Sequence, residues 1–464
     1  MNVKRFRDAV SERGQFMLLP PCVDDFIPRD HSVRAFDDIL GRLDYAPLDA
    51  SYPGGGAPAY DPRMMVGVTL YGVWRGVRSS RDLARQLEES LPFRWLSRMQ
   101  CPSYATIARF MQRHGEDLGA LFVQTVELAQ ELKLVSLGDI AIDGTAIEAN
   151  VSGKNTYSKA RIEKAKHYVD GQIALWLERD KAEDGEFGDR RGDELPKDLA
   201  TLEARRKRLD EIEKQRKEKG RNSIAVTDPQ SSMMRVRGAR GIPMRWGLRP
   251  AHNAQAGVDE AYQVIVAADV ILAETDNSAL PGVVEQVIAN TGQSPERVLA
   301  DAGYSGPAMV ACAEGHPKID FYVAQQDRKS DKRESFTHDK ERDVMIDREG
   351  REHFFTKERT KHGTTYRIYK ARGTPKSELW EPTSAEFTQK MREKLSTPEG
   401  KSIYNLRKQT VEPVFGMMKT RMQMRRFLRR GHQGVKAEFL LACIAHNVGK
   451  IMRYGRAAMQ PAGA

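Results

Sequence analysis

The sequence predicts an α/β protein: a mixed sheet covered by helices, preceded by an all-helical segment and interrupted by charged insertions. Three observations lead there. Between about residues 62 and 112, apolar residues recur at helical spacing between Gly- or Pro-marked turns. From Leu134 the period changes to the alternation of a strand. Beyond residue 250, strand-like runs first follow one another directly and then alternate with helical runs.

The first helix carries Met64, Met65, Val68, Leu70, Tyr71, Val73 and Trp74 and stops at Arg75-Gly76. A second opens at Ser79-Ser80, where a hydroxyl can cap free N–H groups, and runs through Leu83, Ala84 and Leu87. A third opens at Pro102-Ser103 with Thr106, Ile107 and Phe110. Arginines are interleaved throughout, Arg81 and Arg85 among them. Short helices, tight turns and arginines suit a helix-turn-helix DNA-binding module, and equally a plain helical bundle. Residues 1–130 are delimited as an N-terminal helical domain on this basis.

Residues 131–325 form the first part of the core. LVSLGDIAIDGTAI, Leu134 to Ile147, reads as a strand with Asp143 near its end. The charged stretch 154–222 reads as an inserted helical hairpin or short coiled coil, with Leu195, Leu199, Leu202, Leu209 and Ile212 near heptad positions and Arg206 interrupting the seam. Strands follow at His252–Asp259 and Tyr262–Leu272, then a helix from about Ser278, the strand Arg297–Ala300 ending on Asp301, another helix, and the strand Ile319–Val323. Residues 326–398 are polar and read as a second insertion. Residues 399–464 supply closing helices and a basic tail, and His252, His432 and His446 are expected in the core or facing a polyanion.

The charge is unevenly placed. The 464 residues hold 74 Lys+Arg and 64 Asp+Glu, a net +10, yet residues 401–464 alone carry +11 and the rest −1. A concentrated basic surface is rewarded by a phosphate backbone through counterion release, although a solvated helix face has the same composition. KTRMQMRRFLRR, with Arg421, Arg425, Arg426, Arg429 and Arg430, suits a segment that tracks DNA through its phosphates, with Phe427 and Leu428 in the core. No run of eighteen apolar residues occurs, and the N-terminus lacks a signal-peptide pattern, so a cytoplasmic protein is expected. The four cysteines lie far apart, which suits reduced thiols and argues against a zinc site.

Three acids stand out by context: Asp143 and Asp301 at strand ends, where open α/β sheets place ligand sites, and Glu412 near a helix start. Carboxylates are hard oxygen ligands suited to magnesium or manganese, and a pair of such ions can activate an attacking oxygen while stabilising a leaving one. Each acid alone is as well explained by a turn or a helix dipole.

Together their surroundings resemble the DDE-class transposases of bacterial insertion sequences. The matching residues are Asp143-Gly144-Thr145, Ala300-Asp301-Ala302-Gly303-Tyr304, and the set Tyr404, Arg407, Glu412 and Lys419. Thr227-Asp228-Pro229, His252-Asn253-Ala254-Gln255, Val258-Asp259 and the helical segment from Tyr60 add to it. The resemblance implies a ribonuclease-H-like catalytic core in which Asp143, Asp301 and Glu412 hold two divalent ions, Mg or Mn. It implies cleavage and strand transfer on double-stranded DNA, terminal inverted repeats as the bound sequence, association with the nucleoid, and a homodimer on DNA. Tyr404, Arg407 and Lys419 would contact DNA near the cleaved phosphate. Relatives usually place three residues between the Arg and the Glu; here there are four, so Lys408 competes with Arg407 for that position. A nuclease without joining activity and a non-catalytic DNA-binding regulator are the alternative functions.

Overall fold

The computed structural model describes residues 22–52, 58–151, 155–187, 197–237, 246–325, 336–339, 341–361, 364–371 and 378–455. Its helical front comprises α1 (Ser32–Leu40), α2 (Ala46–Asp49), α3 (Pro62–Trp74), α4 (Ser80–Glu89), α5 (Leu91–Leu96), α6 (Tyr104–Arg113) and α7 (Leu118–Glu131). There follow β1 (Asp139–Glu148), β2 (Thr156–Ser158), α8 (Lys159–Phe187), α9 (Lys197–Glu218), β3 (Ser223–Ala225), β4 (Ser232–Arg237), β5 (Trp246–Asp259), β6 (Ile265–Ile271), α10 (Leu280–Thr291), β7 (Arg297–Ala300), α11 (Pro307–Gly315) and β8 (Asp320–Val323). The last part holds β9 (Phe336–Asp339), β10 (Val344–Asp347), β11 (Glu352–Lys361), β12 (Thr364–Ala371), β13 (Glu378–Pro382), α12 (Ala385–Ser396), α13 (Pro398–Thr410), α14 (Glu412–Thr420) and α15 (His432–Tyr454).

The front helices start where the sequence supplies caps. Asp61 accepts from the Arg63 N–H, Ser79 from that of Asp82 and Ser103 from that of Thr106, each satisfying an orphan donor. Helix α3 is buried from Met64 through Val73, so it is a core helix rather than an amphipathic one. It ends at Gly76, whose φ of +80° suits glycine. A side chain there would also run into the Arg421 carbonyl, 2.6 Å from an ideal Cβ. Helices α1, α3 and α7 pack on α15, which is buried almost throughout its middle. One apolar core therefore runs from Phe36 and Leu70 through Ile142, Val266 and Val298 to Phe427 and Phe439.

The central sheet is mixed. Strand β5 lies antiparallel to β1 on one edge and to β6 on the other, and β1 continues parallel to β7, then β8. The spatial order is thus β6-β5-β1-β7-β8, with β4 paired to the first half of β5. Sequence reading began the first strand at Leu134. In the structure it begins at Asp139, because Lys133 and Leu137 take positive φ and turn the chain, although Leu134 and Leu137 are buried. Strand β5 starts six residues earlier than the predicted His252, and its partner β4 was not foreseen.

The charged insertion is a helical hairpin, as expected, with α8 and α9 packed together and clasped at the base by the β2–β3 ladder. Leu209 and Ile212 are buried within it and Arg206 reaches across to Asp170 at 2.6 Å, so the heptad seam faces its own hairpin. Leu195 lies outside the described residues. The second insertion corrects the view of a merely polar stretch: it contains a five-stranded antiparallel sheet, β13-β12-β11-β10-β9, followed by α12. No helix among the described residues is long and apolar enough to cross a membrane.

Candidate active site

The three acids come from three elements that meet at one end of the central sheet. Asp143 lies on β1, and Asp301 follows the last residue of β7. Because Ile142 is paired with Ala300 in parallel register, the two aspartates leave neighbouring strands at the same level. Asp301 then caps the short helical turn Ala302–Tyr304, its Oδ1 accepting from the Gly303 N–H at 2.8 Å. Glu412 opens α14, exposed on one side.

A helix break sets the position of Glu412. Pro413 has no N–H to donate to the Gln409 carbonyl, so the run from α13 into α14 kinks at Val411. The Gln409 oxygen accepts instead from Gln263 Nε2 at 2.8 Å. Around this break Arg407 is buried and bridges two of the acids: Nη1 is 3.1 Å from Asp143 Oδ2 and Nη2 is 3.6 Å from Glu412 Oε1. The Tyr404 ring lies 5.9 Å from its guanidinium carbon. One helix further on, Lys419 Nζ donates to Thr145 Oγ1, two residues beyond Asp143 on β1. Arg407, not Lys408, thus occupies the place beside the acids; Lys408 is exposed.

Burial drives the electrostatics here. It pushes the Asp143 carboxyl up to about 6; Arg407 opposes, while the negative charges of Asp301 and Asp276 add to the rise. Burial likewise works against the charge of Arg407, but Asp143 first, then Tyr404, Asp301 and Glu412, more than offset it, and its pKa is raised. Among the described residues no three Asp, Glu, His or Cys side chains are drawn close enough to hold a metal ion, and Arg407 contacts both Asp143 and Glu412.

Sequence reasoning missed a fourth acid, Asp276, in the turn after β6. Its Oδ1 accepts from Asn253 Nδ2 at 2.8 Å and Gln255 Nε2 at 2.6 Å, and Gln255 Oε1 accepts from the Tyr304 hydroxyl. The HNAQ run is therefore the platform of the site. Its His252 is buried in the core, as expected, and has an acidic partner, Asp228, 2.9 Å from Nε2 and wholly buried, while Asp228 Oδ1 accepts from Gly431 N. His446 is buried and donates through Nε2 to the Gln263 carbonyl at 2.7 Å. His432 opens α15.

The basic residues divide into free and tethered. Arg421 and Arg425 are exposed beside the kinked helix. Arg426 and Arg430 hold Asn150 and Val151 at the end of β1, and Arg429 donates to the Met111 carbonyl at 2.8 Å. The loop that carries them is gripped from the front: Arg78 donates to the carbonyls of Gln423 and Arg426 and pairs with buried Glu438, which also accepts from the N–H groups of Leu428 and Arg429. Phe427 is in the core as expected; Leu428 is 43% exposed, against expectation, at the edge of a groove between that loop and the starts of α4 and α7. Arg81 stacks on Tyr104 and Arg85 pairs with Asp82, both on the outer side of α4.

Residues 21–113 match the family model of a transposase domain (DUF772), and residues 369–452 match that of a transposase DDE domain. The two matches support an insertion-sequence DDE transposase. No curated protein matches it. The second match contains Tyr404, Arg407, Glu412 and Lys419, whereas Asp143 and Asp301 lie outside both; the folding of the chain brings Asp143 to Arg407 and Arg407 to Glu412.

Proposed function

We propose that this transposase binds the terminal inverted repeats of its element, cleaves DNA there and joins the freed 3′-hydroxyl to a target duplex, using two divalent ions held by Asp143, Asp301 and Glu412. The observation that carries the reading is the double contact of Arg407 with Asp143 and Glu412, which brings residues about 270 positions apart to one sheet end. The sheet supports a ribonuclease-H-like assignment, with an antiparallel trio continuing into two parallel strands and acids at the strand ends. The donor set fits magnesium or manganese: carboxylate oxygens without thiol or imidazole. It also carries crowded negative charge that Arg407 alone compensates in part, the environment a divalent cation relieves.

In that reading the ions supply an activated oxygen nucleophile and a stabilised leaving oxygen. The chain does the rest. Asp143 and Asp301 fix the acids on a rigid sheet, and the kink presents Glu412 from the opposite side. Arg407 and Lys419, one on each side of the break, offer cationic donors to the phosphate, with Tyr404 bracing Arg407. Exposed Lys408, Arg421 and Arg425 extend that surface, and the loop carrying Arg426, Arg429 and Arg430 continues it toward α4, where Arg81 and Arg85 would meet the repeat. Transposition acts on two ends, so a homodimer forms on DNA, at the nucleoid.

The test uses duplexes carrying the repeats that flank the gene. With magnesium the wild-type chain should nick them and should join a precleaved end with a free 3′-hydroxyl. Asp143→Ala, Asp301→Ala and Glu412→Ala should each abolish nicking while end binding persists. A triple-alanine protein that still nicks overturns the assignment, and nicking without joining identifies a nuclease instead.

A further inference from the structure

We propose that Arg78 is a positioning residue that fixes which phosphate is cut, an inference that rests on the function proposed above. It stands in the turn between α3 and α4, and α4 carries Arg81 and Arg85 on its outer side. Its guanidinium leaves that turn and enters the loop 421–431 between α14 and α15. There the two Nη atoms serve three acceptors: Nη1 donates to the Gln423 carbonyl, and Nη2 to the Arg426 carbonyl at 2.8 Å and to Glu438 of α15. Glu438 closes the ring by accepting from the N–H groups of Leu428 and Arg429, each at 3.0 Å. The side chains of Arg78 and Glu438 are each 7% exposed. Burying both charges carries a desolvation cost that an apolar pair would not, so stability alone does not explain the choice.

The other side of the same loop is fastened to the strand that bears Asp143. Residues 425–427 run parallel to the end of β1: the Glu148 N–H donates to the Arg425 carbonyl at 3.1 Å, and the Phe427 N–H to the Glu148 carbonyl at 2.8 Å. Asn150 Nδ2 donates to the Leu428 carbonyl at 2.7 Å, and Arg430 Nε to the Asn150 carbonyl at 2.9 Å. Helix α4, the loop and Asp143 are thus joined in series, and Arg78 joins the first two. The turn also sits hard against the loop, since a Cβ on Gly76 would lie 2.6 Å from the Arg421 carbonyl. Phosphates of one DNA strand follow each other about every 3.4 Å along the duplex axis. A slack of one hydrogen-bond length, about 3 Å, at this joint is therefore enough to bring a neighbouring phosphate to the acids. Lysine cannot stand in, because a single ammonium lacks the planar fork that spans both carbonyls and the carboxylate.

The experiment maps, at single-nucleotide resolution, where the full-length chain with magnesium nicks an end-labelled duplex carrying the flanking repeat. Wild type should cut at one phosphate. Arg78→Lys and Arg78→Gln should spread the cuts to neighbouring phosphates while end affinity stays within a few-fold, because Arg81 and Arg85 are untouched. Gly76→Ala should displace the cut likewise without removing a charge or a bond of the fork, and it keeps the test open should the Arg78 variants fail to fold. Variants that cut at the wild-type phosphate, with a slower rate or a lower melting temperature alone, make Arg78 a structural support and overturn this inference while the proposed function stands. A folded variant that binds the end but nicks nothing places Arg78 in the chemistry and overturns it too, as do wild-type cuts that are already scattered. A wild-type chain that nicks nothing overturns this inference and the proposed function together.

Discussion

In the central sheet Ile140, Ala141 and Ile142 of β1, Val266 of β6 and Val298 of β7 are fully buried between helices, whereas β11 of the outer sheet exposes Lys357, Glu358 and Arg359 in succession. The outer sheet has a small apolar centre, Val344, Met345, Ile368 and Tyr369, ringed by charge pairs. Arg367 and the Tyr369 hydroxyl converge on Asp343, Arg342 grips Glu352 with both nitrogens, and Lys370 meets Glu378. The first sheet is covered by helices, and there Asp143 and Asp301 leave neighbouring strands at one level. Cross-strand ion pairs in solvent contribute little individually and fix register more than they stiffen a site.

The largest expected effect tests whether chemistry belongs to the central sheet alone. Asp143→Asn should remove DNA nicking altogether, whereas Asp343→Asn, which disrupts the outer-sheet acid that Arg367 and Tyr369 share, should leave nicking measurable in single-turnover assays. The reverse result would move the site. Next comes packing: Ile140→Ala should cost about 2–5 kcal/mol in denaturant unfolding, since the residue is wholly enclosed. A loss well below that range would mean that the central core is less tightly packed than the buried strands indicate.

A pH dependence sharpens the comparison further. Burial holds His446, on α15 against the β5–β6 connection, down at about 4. The unfolded chain takes up a proton near the ordinary value of 6.5 and the folded chain does not until about 4. This contribution to stability is therefore complete above pH 6.5 and is lost as the pH falls through that window, by roughly 3 kcal/mol at most. Replacing His446 by Gln should flatten that part of the unfolding profile; an unchanged slope would assign it to other groups. The smallest effect belongs to the outer sheet. Glu352→Gln, which breaks the exposed pair with Arg342, should shift the melting midpoint barely beyond scatter and should lose even that in high salt.

What could be read beforehand follows the same division. Elements that bury a face leave a period in the sequence, which is why β1, β6, β7, β8 and the helices α3, α4 and α6 were visible and why Asp143 and Asp301 could be placed at strand ends. The outer sheet was not legible, because on β11 and β12 apolar residues stand side by side, Phe354 with Phe355 and Ile368 with Tyr369, among charged ones, and leave no clear alternation. Asp276 was missed for another reason: an acid in a short polar turn is the commonest of signals, and its meaning comes from Asn253 and Gln255, more than twenty residues away. The pairing of His252 with Asp228 is similarly non-local. The choice between Arg407 and Lys408 needed the direction of a helix axis, which no spacing supplies.

The bend at Val411 also bears on how such motifs should be compared between chains. In an unbroken helix one additional residue swings every later side chain by about 100°, enough to turn an acid from its sheet toward open water. Here Pro413 removes one helix donor, the amide of Gln263 takes up the freed Gln409 carbonyl, and Arg407 and Glu412 still meet. Deleting Val411 would restore the commoner count and spoil the angle. Proline and glutamine, neither of them a charged group of the site, thus bear on which spellings of the signature this scaffold can tolerate.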